Sequence, residues 1–339
     1  MDSLTQGLLG AAAAQAVLRD RLGKRTWLYG AVGGMAADLD IFIRSSTDPL
    51  VGLTYHRHFT HSLFFIPIGG VLAALPWILR KRHAADRRAI LAATTIGYAT
   101  HALLDLFTTY GTQLWWPVST MRAALNGVSI VDLLFSVPLA WGVVAAARRV
   151  QARPARIALA WCVAYLGFGM LQHARAVAAT RELAASRGHT VQRVDAFPNA
   201  FCNFVWRTAY VSDGLVYVDQ ARTPWWSATR MRAGGSTPLV TTEDLSPAVA
   251  NEADLREGFR TWTWFTDGWT GRSAVQPYTF TDLRYGLEIA STESMWSLTL
   301  DPDAQAPERV VQNQNMGRDA RSRLGKLWRV IVGDPDVAP

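Results

Sequence analysis

Apolar residues fill the first half of the chain in six runs, at about 4–18, 27–43, 62–79, 89–108, 130–147 and 157–171. A helix needs about 20 residues to cross hydrocarbon, with a usable range from about 17. Most of the runs approach that length, and the first and last are the shortest. The second half has a different pattern. Residues 171–187, "LQHARAVAATRELAASR", have helical composition and extend the last run outward to a stop at Gly188. Beyond it, "AYVSDGLVYVDQ", "RTWTWFTDGW", "PYTFTDLRYGLEI" and "MWSLTLD" are strand-like runs separated by Gly, Asp and Pro signals. The pattern predicts an α-helical polytopic membrane domain of five or six transmembrane helices over residues 1–187, followed by a small β-rich extramembrane domain over 188–339.

Charge orients those spans. Arg19, Arg21, Lys24 and Arg25, then Arg80, Lys81, Arg82, Arg87 and Arg88, then Arg148, Arg149, Arg153 and Arg156 fill alternate connections. Basic connections stay in the cytoplasm. The others carry chiefly Arg44, Arg57 and Arg122, so they, both termini and the C-terminal domain are expected on the outer face. The net charge of +7 lies in these short clusters between apolar runs, which points to membrane lipids as partners and away from nucleic acid. "MDSLTQGLLGAAAAQAVL" has an acid where a signal peptide has a basic segment, and is expected to be retained. Cys162 and Cys202, one inside an apolar run and one outside, can build neither a disulfide framework nor a thiolate zinc site.

Three of seven histidines crowd into "HRHFTHS", residues 56–62, at the mouth of the third run. On the same expected side fall Asp38 and Asp40, His101 and Asp105, and Asp132. A carboxylate at membrane depth is unfavourable by roughly 2.5–3.5 kcal/mol at a helix centre and marks a functional interior. His101 and Asp105 are one helical turn apart and reach the same ion. Asp38 and Asp40 lie about 200° apart on a regular helix, so both reach one centre only if the helix ends or unwinds there, which Gly33 and Gly34 allow. Imidazole with carboxylate oxygen favours a divalent metal of the zinc, manganese or iron kind over calcium. His58 is a secondary candidate at three residues from His61. His83, in a basic cluster, is expected to be solvated, and His173 and His189 have no acidic neighbour at ligand spacing.

At these residues the chain resembles the YdjM type of membrane-bound, predicted metal-dependent hydrolases. The resemblance rests on "DLD" at 38–40, "HRHFTHS" at 56–62, "THALLDLFTTYGT" at 100–112 and "LWWP" ending at Pro117. "FPNAFCNFVWR" and "FTDLRYG" resemble segments of the extramembrane domain that many members carry. The resemblance implies an inner (cytoplasmic) membrane protein with a divalent metal and hydrolytic chemistry, carried onto Asp38, Asp40, His56, His61, His101 and Asp105. Two positions depart: members often read "THxxxG" where this chain has Thr5, Gln6 and Gly10, and "PDIDH" where it has "ADLDI".

A metal on carboxylates and imidazoles activates water and polarises a phosphoryl or acyl oxygen. The expected function is therefore metal-dependent hydrolysis of a phosphoester or other lipid-linked, amphiphilic substrate at the outer interface. Asp38 or Asp40 would serve as general base or as ligand to a second metal, and Arg57 would pair with phosphate. The alternatives are a non-catalytic membrane protein with a structural metal, and a metal transporter; ligands gathered at one face argue against transport. Trp206, Trp225, Trp226, Trp262, Trp264, Trp269 and Trp296 are expected as core anchors, with some resting on the membrane or gripping a ligand.

Overall fold

The computed structural model of the protein describes residues 1–286, 288–306, 308–314 and 320–333, so positions 334–339 of the expected C-terminal domain lie outside the described residues. Its helices are α1 (Ser3–Leu22), α2 (Thr26–Ala36), α3 (Val51–Tyr55), α4 (Ile66–Ile78), α5 (Arg87–Asp105), α6 (Leu133–Arg149), α7 (Arg153–Ser186), α8 (Pro247–Ala250), α9 (Ala253–Phe265) and α10 (Ala320–Val332). The chain divides into two compact units, one of Met1–Ile43 with Tyr55–Met170, the other of Arg44–Thr54 with Leu171–Pro339. The division thus falls inside α7, and a short earlier segment groups with the second unit.

In the first unit Asp2 starts α1 by accepting the amide of Thr5 at 3.0 Å. α1, α2 and α5 then approach to backbone contact, because glycine occupies the crossing points. A Cβ on Gly30 would stand 2.3 Å from the Gly10 carbonyl oxygen, and one on Gly97 would stand 2.2 Å from the Gly30 carbonyl oxygen. Beside the glycines, a buried cluster of Ala14, Tyr29, Ile90 and Ala93 joins the three helices. A second cluster joins α1 to α6 and the first part of α7 through Leu9, Ala12, Phe135, Leu139, Ala158 and Cys162.

Five or six transmembrane helices are not supported. Among the described residues one helix is long and apolar enough to cross a membrane, α7, or up to two if the pair Val51–His61 and Leu63–Ile78, bent by 58°, counts as one span. The reason is that the other apolar runs are short, broken or polar inside. α2 has 11 residues before it tightens into a 3₁₀ turn, and α4 has 13. α1 buries Gln6, Gln15 and Arg19, and α5 buries Thr94, His101 and Asp105. Their apolar character serves helix–helix contact. The orientation drawn from alternating basic connections, and with it the outer placement of the C-terminal domain, loses its premise, because those connections do not separate established crossings.

Among the described residues the second unit holds two four-stranded antiparallel sheets, ordered β1-β2-β3-β4 and β5-β6-β7-β8. The first comprises β1 (Arg193–Pro198), β2 (Val205–Ser212), β3 (Leu215–Arg222) and β4 (Arg230–Pro238). The second comprises β5 (Thr270–Arg272), β6 (Thr279–Asp282), β7 (Trp296–Leu300) and β8 (Val310–Gln314). "AYVSDGLVYVDQ" is the β2–β3 hairpin, turning at Asp213 and Gly214, both with positive φ. "RTWTWFTDGW" is a correction: its first six residues, expected as strand, end helix α9. Leu255, Gly258, Phe259, Trp262 and Phe265 are buried at three- and four-residue intervals, a helical period that overrides the short Trp-Thr-Trp alternation. Trp206, Trp262 and Trp269 are buried core residues, whereas Trp226 is 92% exposed. Cys162 and Cys202 are buried and form no disulfide.

Candidate metal centre

The glycine-mediated crossing of α1, α2 and α5 brings three chain segments to one point. α2 ends in a 3₁₀ turn over Ala37–Phe42, which carries Asp38 and Asp40. In so tight a turn, residues two apart point in divergent directions. Asp38 turns to His61 and His101, while Asp40 turns to the chain around His56. That chain is bent at Arg57, with φ of 62°, and held there by the Arg57 amide donating to Asp40 Oδ2 at 2.9 Å. A 3₁₀ turn, Phe59–His61, then delivers His61, which is fully buried. His101 and Asp105 arrive together on one face of the last turn of α5, both fully buried.

The result is a four-membered cluster. His101 Nε2 stands 3.3 Å from Asp38 Oδ1 and 3.4 Å from Asp105 Oδ2. His61 Nε2 stands 3.9 Å from Asp38 Oδ1 and 3.3 Å from Asp105 Oδ2. The ligand atoms of Asp38, His61 and His101 all lie within 4.8 Å of one another. Donors about 2.0–2.1 Å from one zinc ion sit roughly 3.3 Å apart at the corners of a tetrahedron, so most of these separations are already those of a coordination shell.

The outer bonds aim the inner atoms. His101 Nδ1 donates to the Gly34 carbonyl, 2.5 Å away, which leaves the Nε2 lone pair facing the cluster. His61 Nδ1 contacts Thr60 Oγ1 at 3.0 Å and Asp40 Oδ2 at 3.2 Å, with the same consequence. Ser3 Oγ donates to Asp38 Oδ2 at 2.5 Å, and Gln6 Nε2 to Asp105 Oδ1 at 2.8 Å, where the Met1 amino group also donates. Each carboxylate is thus fixed through one oxygen and turns the other to the cluster, where Arg57 Nε also approaches Asp105 Oδ2 at 3.2 Å. His61 Nε2, His101 Nε2 and Asp105 Oδ2 are buried and make no well-formed hydrogen bond, the two imidazole nitrogens instead facing Asp105 Oδ2 at 3.3 and 3.4 Å. These atoms converge on one another rather than on separate partners, so a cation among them would be met by all three. The donor set therefore fits a divalent metal.

Charge agrees. Burial pushes the Asp38 carboxyl up, but the bonds and charge of His101 and the Ser3 hydroxyl outweigh it and hold it at about 2. Burial pulls His101 down, yet the Asp105 and Asp38 carboxylates beside it raise it to about 9. Without an ion the imidazole holds a proton in the place a cation would take.

The remaining expected site residues stand around this cluster. Asp40 is buried behind His61, engaged with His56 Nδ1 at 2.7 Å, the Arg57 amide, and Thr60 Oγ1 at 2.8 Å. The His56 side chain is 23% exposed. The Arg57 guanidinium is buried, with Nε 3.2 Å from Asp105 Oδ2, NH1 donating to Thr108 Oγ1 at 2.7 Å, and the Tyr110 ring 4.8 Å away. It faces a protein carboxylate. His58 lies apart, its ring 5.2 Å from that of Trp116. Asp132 is the N-cap of α6, accepting the Leu134 and Phe135 amides and the Tyr165 hydroxyl. His83, expected to be solvated, is buried beside Arg82, which donates to it at 3.2 Å. His173 acquires an acidic neighbour, Asp195 at 2.7 Å, and His189 contacts Tyr210 at 2.8 Å. Ser3 and Thr60 were not legible in sequence; Gln6 was marked only by its departure from the family pattern.

A cavity of about 720 Å³ adjoins the cluster, lined by Ser3, Asp38, Asp40 and Thr60 and by apolar side chains including Phe65 and Leu72.

A family model described as YdjM inner membrane protein matches residues 1–176. That is more than half of the 339 residues, and it contains every member of the cluster, so the chain belongs to that family. No curated protein and no solved structure matches the chain.

Proposed function

We propose that this member of the YdjM inner membrane protein family is a metal-dependent hydrolase of a phosphoester carried on an amphiphilic, lipid-linked substrate. Asp38, His61, His101 and Asp105 hold the ion, and zinc suits two imidazoles with two carboxylates, with manganese and iron next. When bound, the ion supplies Lewis-acid polarisation of a phosphoryl oxygen and an acidified water. The chain's own residues do the rest. Asp40 fixes His56 by its Nδ1 and His61 by its Nδ1, so His56 Nε2 is the atom available to take a proton, and the partly exposed ring can pass it to solvent. Arg57 balances Asp105 and keeps that carboxylate in place. The cavity beside Asp38 receives the apolar part of the substrate, and its volume is within the range of about 300–1,000 Å³ common for ligand sites.

The observation that carries this reading is the convergence of buried ligand atoms of Asp38, His61, His101 and Asp105 beside a cavity that reaches Asp38. The test is a metal analysis of the detergent-purified protein coupled to a screen of aryl phosphomonoesters, phosphodiesters and phospholipids. Stoichiometric metal and turnover that His56→Ala removes at full metal occupancy support the reading. Metal without turnover on any of these substrates overturns it.

A second reading has one observation in its favour. Three of the four donors are fully buried and only the Asp38 side chain, 13% exposed, meets the outside. Closed shells are the mark of structural sites. On that reading the ion locks α2 and α5 together, and removing it lowers thermal stability with no activity to lose.

A further inference from the structure

The loop between β3 and β4, "TPWWSAT" at 223–229, starts from the buried Thr223 and runs out to the surface. Trp226 at its tip is 92% exposed, in a unit whose other described tryptophans include three that are fully buried. Ser227, Ala228 and Arg230 beside it are exposed as well. A soluble surface rarely presents a whole indole, whereas membrane proteins place Trp at the headgroup level, where its ring meets apolar matter and its N–H meets water.

The loop is tied to the candidate span at the point where that span ends. In α7 no Asp, Glu, Lys or Arg lies among residues 157–174; the apolar part runs to Leu171, and Gln172 and His173, the latter 2.7 Å from Asp195, lie at its boundary. Eighteen residues rise about 27 Å, close to the roughly 30 Å of hydrocarbon in a bilayer. Arg175, the first charge beyond that stretch, donates to the Pro224 carbonyl at 2.9 Å and to the Ser227 carbonyl. Gln172, one turn earlier, donates to the Thr223 carbonyl at 2.6 Å. Both ends of the Trp225–Trp226 pair are therefore fastened to the boundary of the apolar stretch. At the same end of β2 and β3, Leu327 and Val330 of α10 cluster with Val205, the partner of Arg222 in the β2–β3 register, and Trp328 of that helix is 59% exposed.

We propose that the β3–β4 loop is a bilayer anchor, with Trp226 seated in the headgroup region of the membrane that α7 crosses and Arg230 toward anionic lipid phosphates. This is independent of the chemistry at the metal centre. It fixes the depth of the second unit, because a loop bonded to Arg175 and inserted at the interface leaves the β2–β3 turn at the far end of β3, about 26 Å away for eight residues of strand.

The test uses the full chain in phosphatidylcholine–phosphatidylglycerol vesicles. Cys162 and Cys202 are buried, so a nitroxide can be placed on Trp226→Cys and, separately, on Asp213→Cys in the exposed β2–β3 turn. The chain with neither substitution serves as the labelling control. Spin-label accessibility to a polar nickel chelate and to oxygen is then read. The expected result is nickel accessibility several-fold lower at 226 than at 213, with oxygen accessibility higher at 226. Equal, water-like accessibility at both positions overturns the proposal. Exclusion of both reagents at 226 also overturns it, since that is the signature of a protein contact. Trp226→Phe, which keeps an apolar ring, should retain the anchor as judged by the same measurement on a label at Ala228→Cys.

Discussion

Replacing Asp40 by Asn should weaken metal binding without removing a ligand. Asp40 is buried and its two oxygens serve four donors: His56 Nδ1 at 2.7 Å on Oδ1, and the Arg57 amide at 2.9 Å, the Thr60 hydroxyl at 2.8 Å and His61 Nδ1 at 3.2 Å on or near Oδ2. Asn keeps a single acceptor. It satisfies most by leaving its oxygen toward the three donors around Oδ2, which turns its NH₂ against His56. His61 then keeps an acceptor, but a neutral one, and the charge that favours Nδ1–H with a bare Nε2 is lost. Groups that orient a ligand in this way contribute about 10–100-fold to metal affinity, or roughly 1.4–2.7 kcal/mol. Competition titration of purified protein against a chromophoric zinc chelator measures this directly, with Asp38→Asn alongside as the loss of a ligand. Asp38→Asn should fall further than Asp40→Asn. An Asp40→Asn affinity equal to that of the unaltered protein, or equal to that of Asp38→Asn, refutes the division between a carboxylate that binds and one that orients.

Three other outcomes follow from the same geometry. His61→Ala and His101→Ala each remove one inward Nε2, so both should purify with little metal, whereas His83→Ala, outside the cluster beside Arg82, should keep the full complement; elemental analysis of the three decides it. Because the neighbouring carboxylates raise His101 to about 9, the ion must displace its proton at neutral pH; apparent affinity should therefore rise about tenfold per pH unit up to about pH 9 and level off beyond, as read by calorimetry in buffers of different ionisation heat. Gly30→Ala places a Cβ 2.3 Å from the Gly10 backbone oxygen, a contact no side chain can relieve, and overpacking of this kind destabilises by about 1–3 kcal/mol. Its thermal midpoint should drop, with metal retention falling in step; an unchanged midpoint would mean that the α1–α2 crossing is looser than described.

The candidate site was legible where chemistry and helical spacing coincide. His101 and Asp105, four apart, remained on one face of α5, and His61 of "HRHFTHS" joined them. The opposed placement of Asp38 and Asp40 was foreseen for a regular helix, but not that a 3₁₀ turn would preserve the divergence and turn Asp40 to the back of His61. Ser3 and Thr60 carry no pattern of their own; they matter because close packing of α1 and the 56–61 bend sets them beside carboxylates. The membrane topology was misread for a physical reason. Apolar, glycine- and alanine-rich runs suit hydrocarbon and suit helix–helix contact equally, and here Gly30, Gly97 and Ala14 serve the second purpose. The segment at 260–265 was misread because two tryptophans two apart mimic a strand, while the wider spacing of Leu255, Phe259 and Trp262 is helical.

X-ray absorption at the zinc edge of the zinc-loaded, detergent-purified protein tests the central claim most directly. The account predicts a first shell of nitrogen and oxygen only, at about 2.0–2.1 Å, with the outer-shell scattering of two imidazoles and no sulfur, and the loss of one imidazole in His101→Ala reconstituted at saturating zinc. A shell without imidazole scattering, a sulfur ligand at about 2.3 Å, or a His101→Ala spectrum identical to that of the unaltered protein would contradict it.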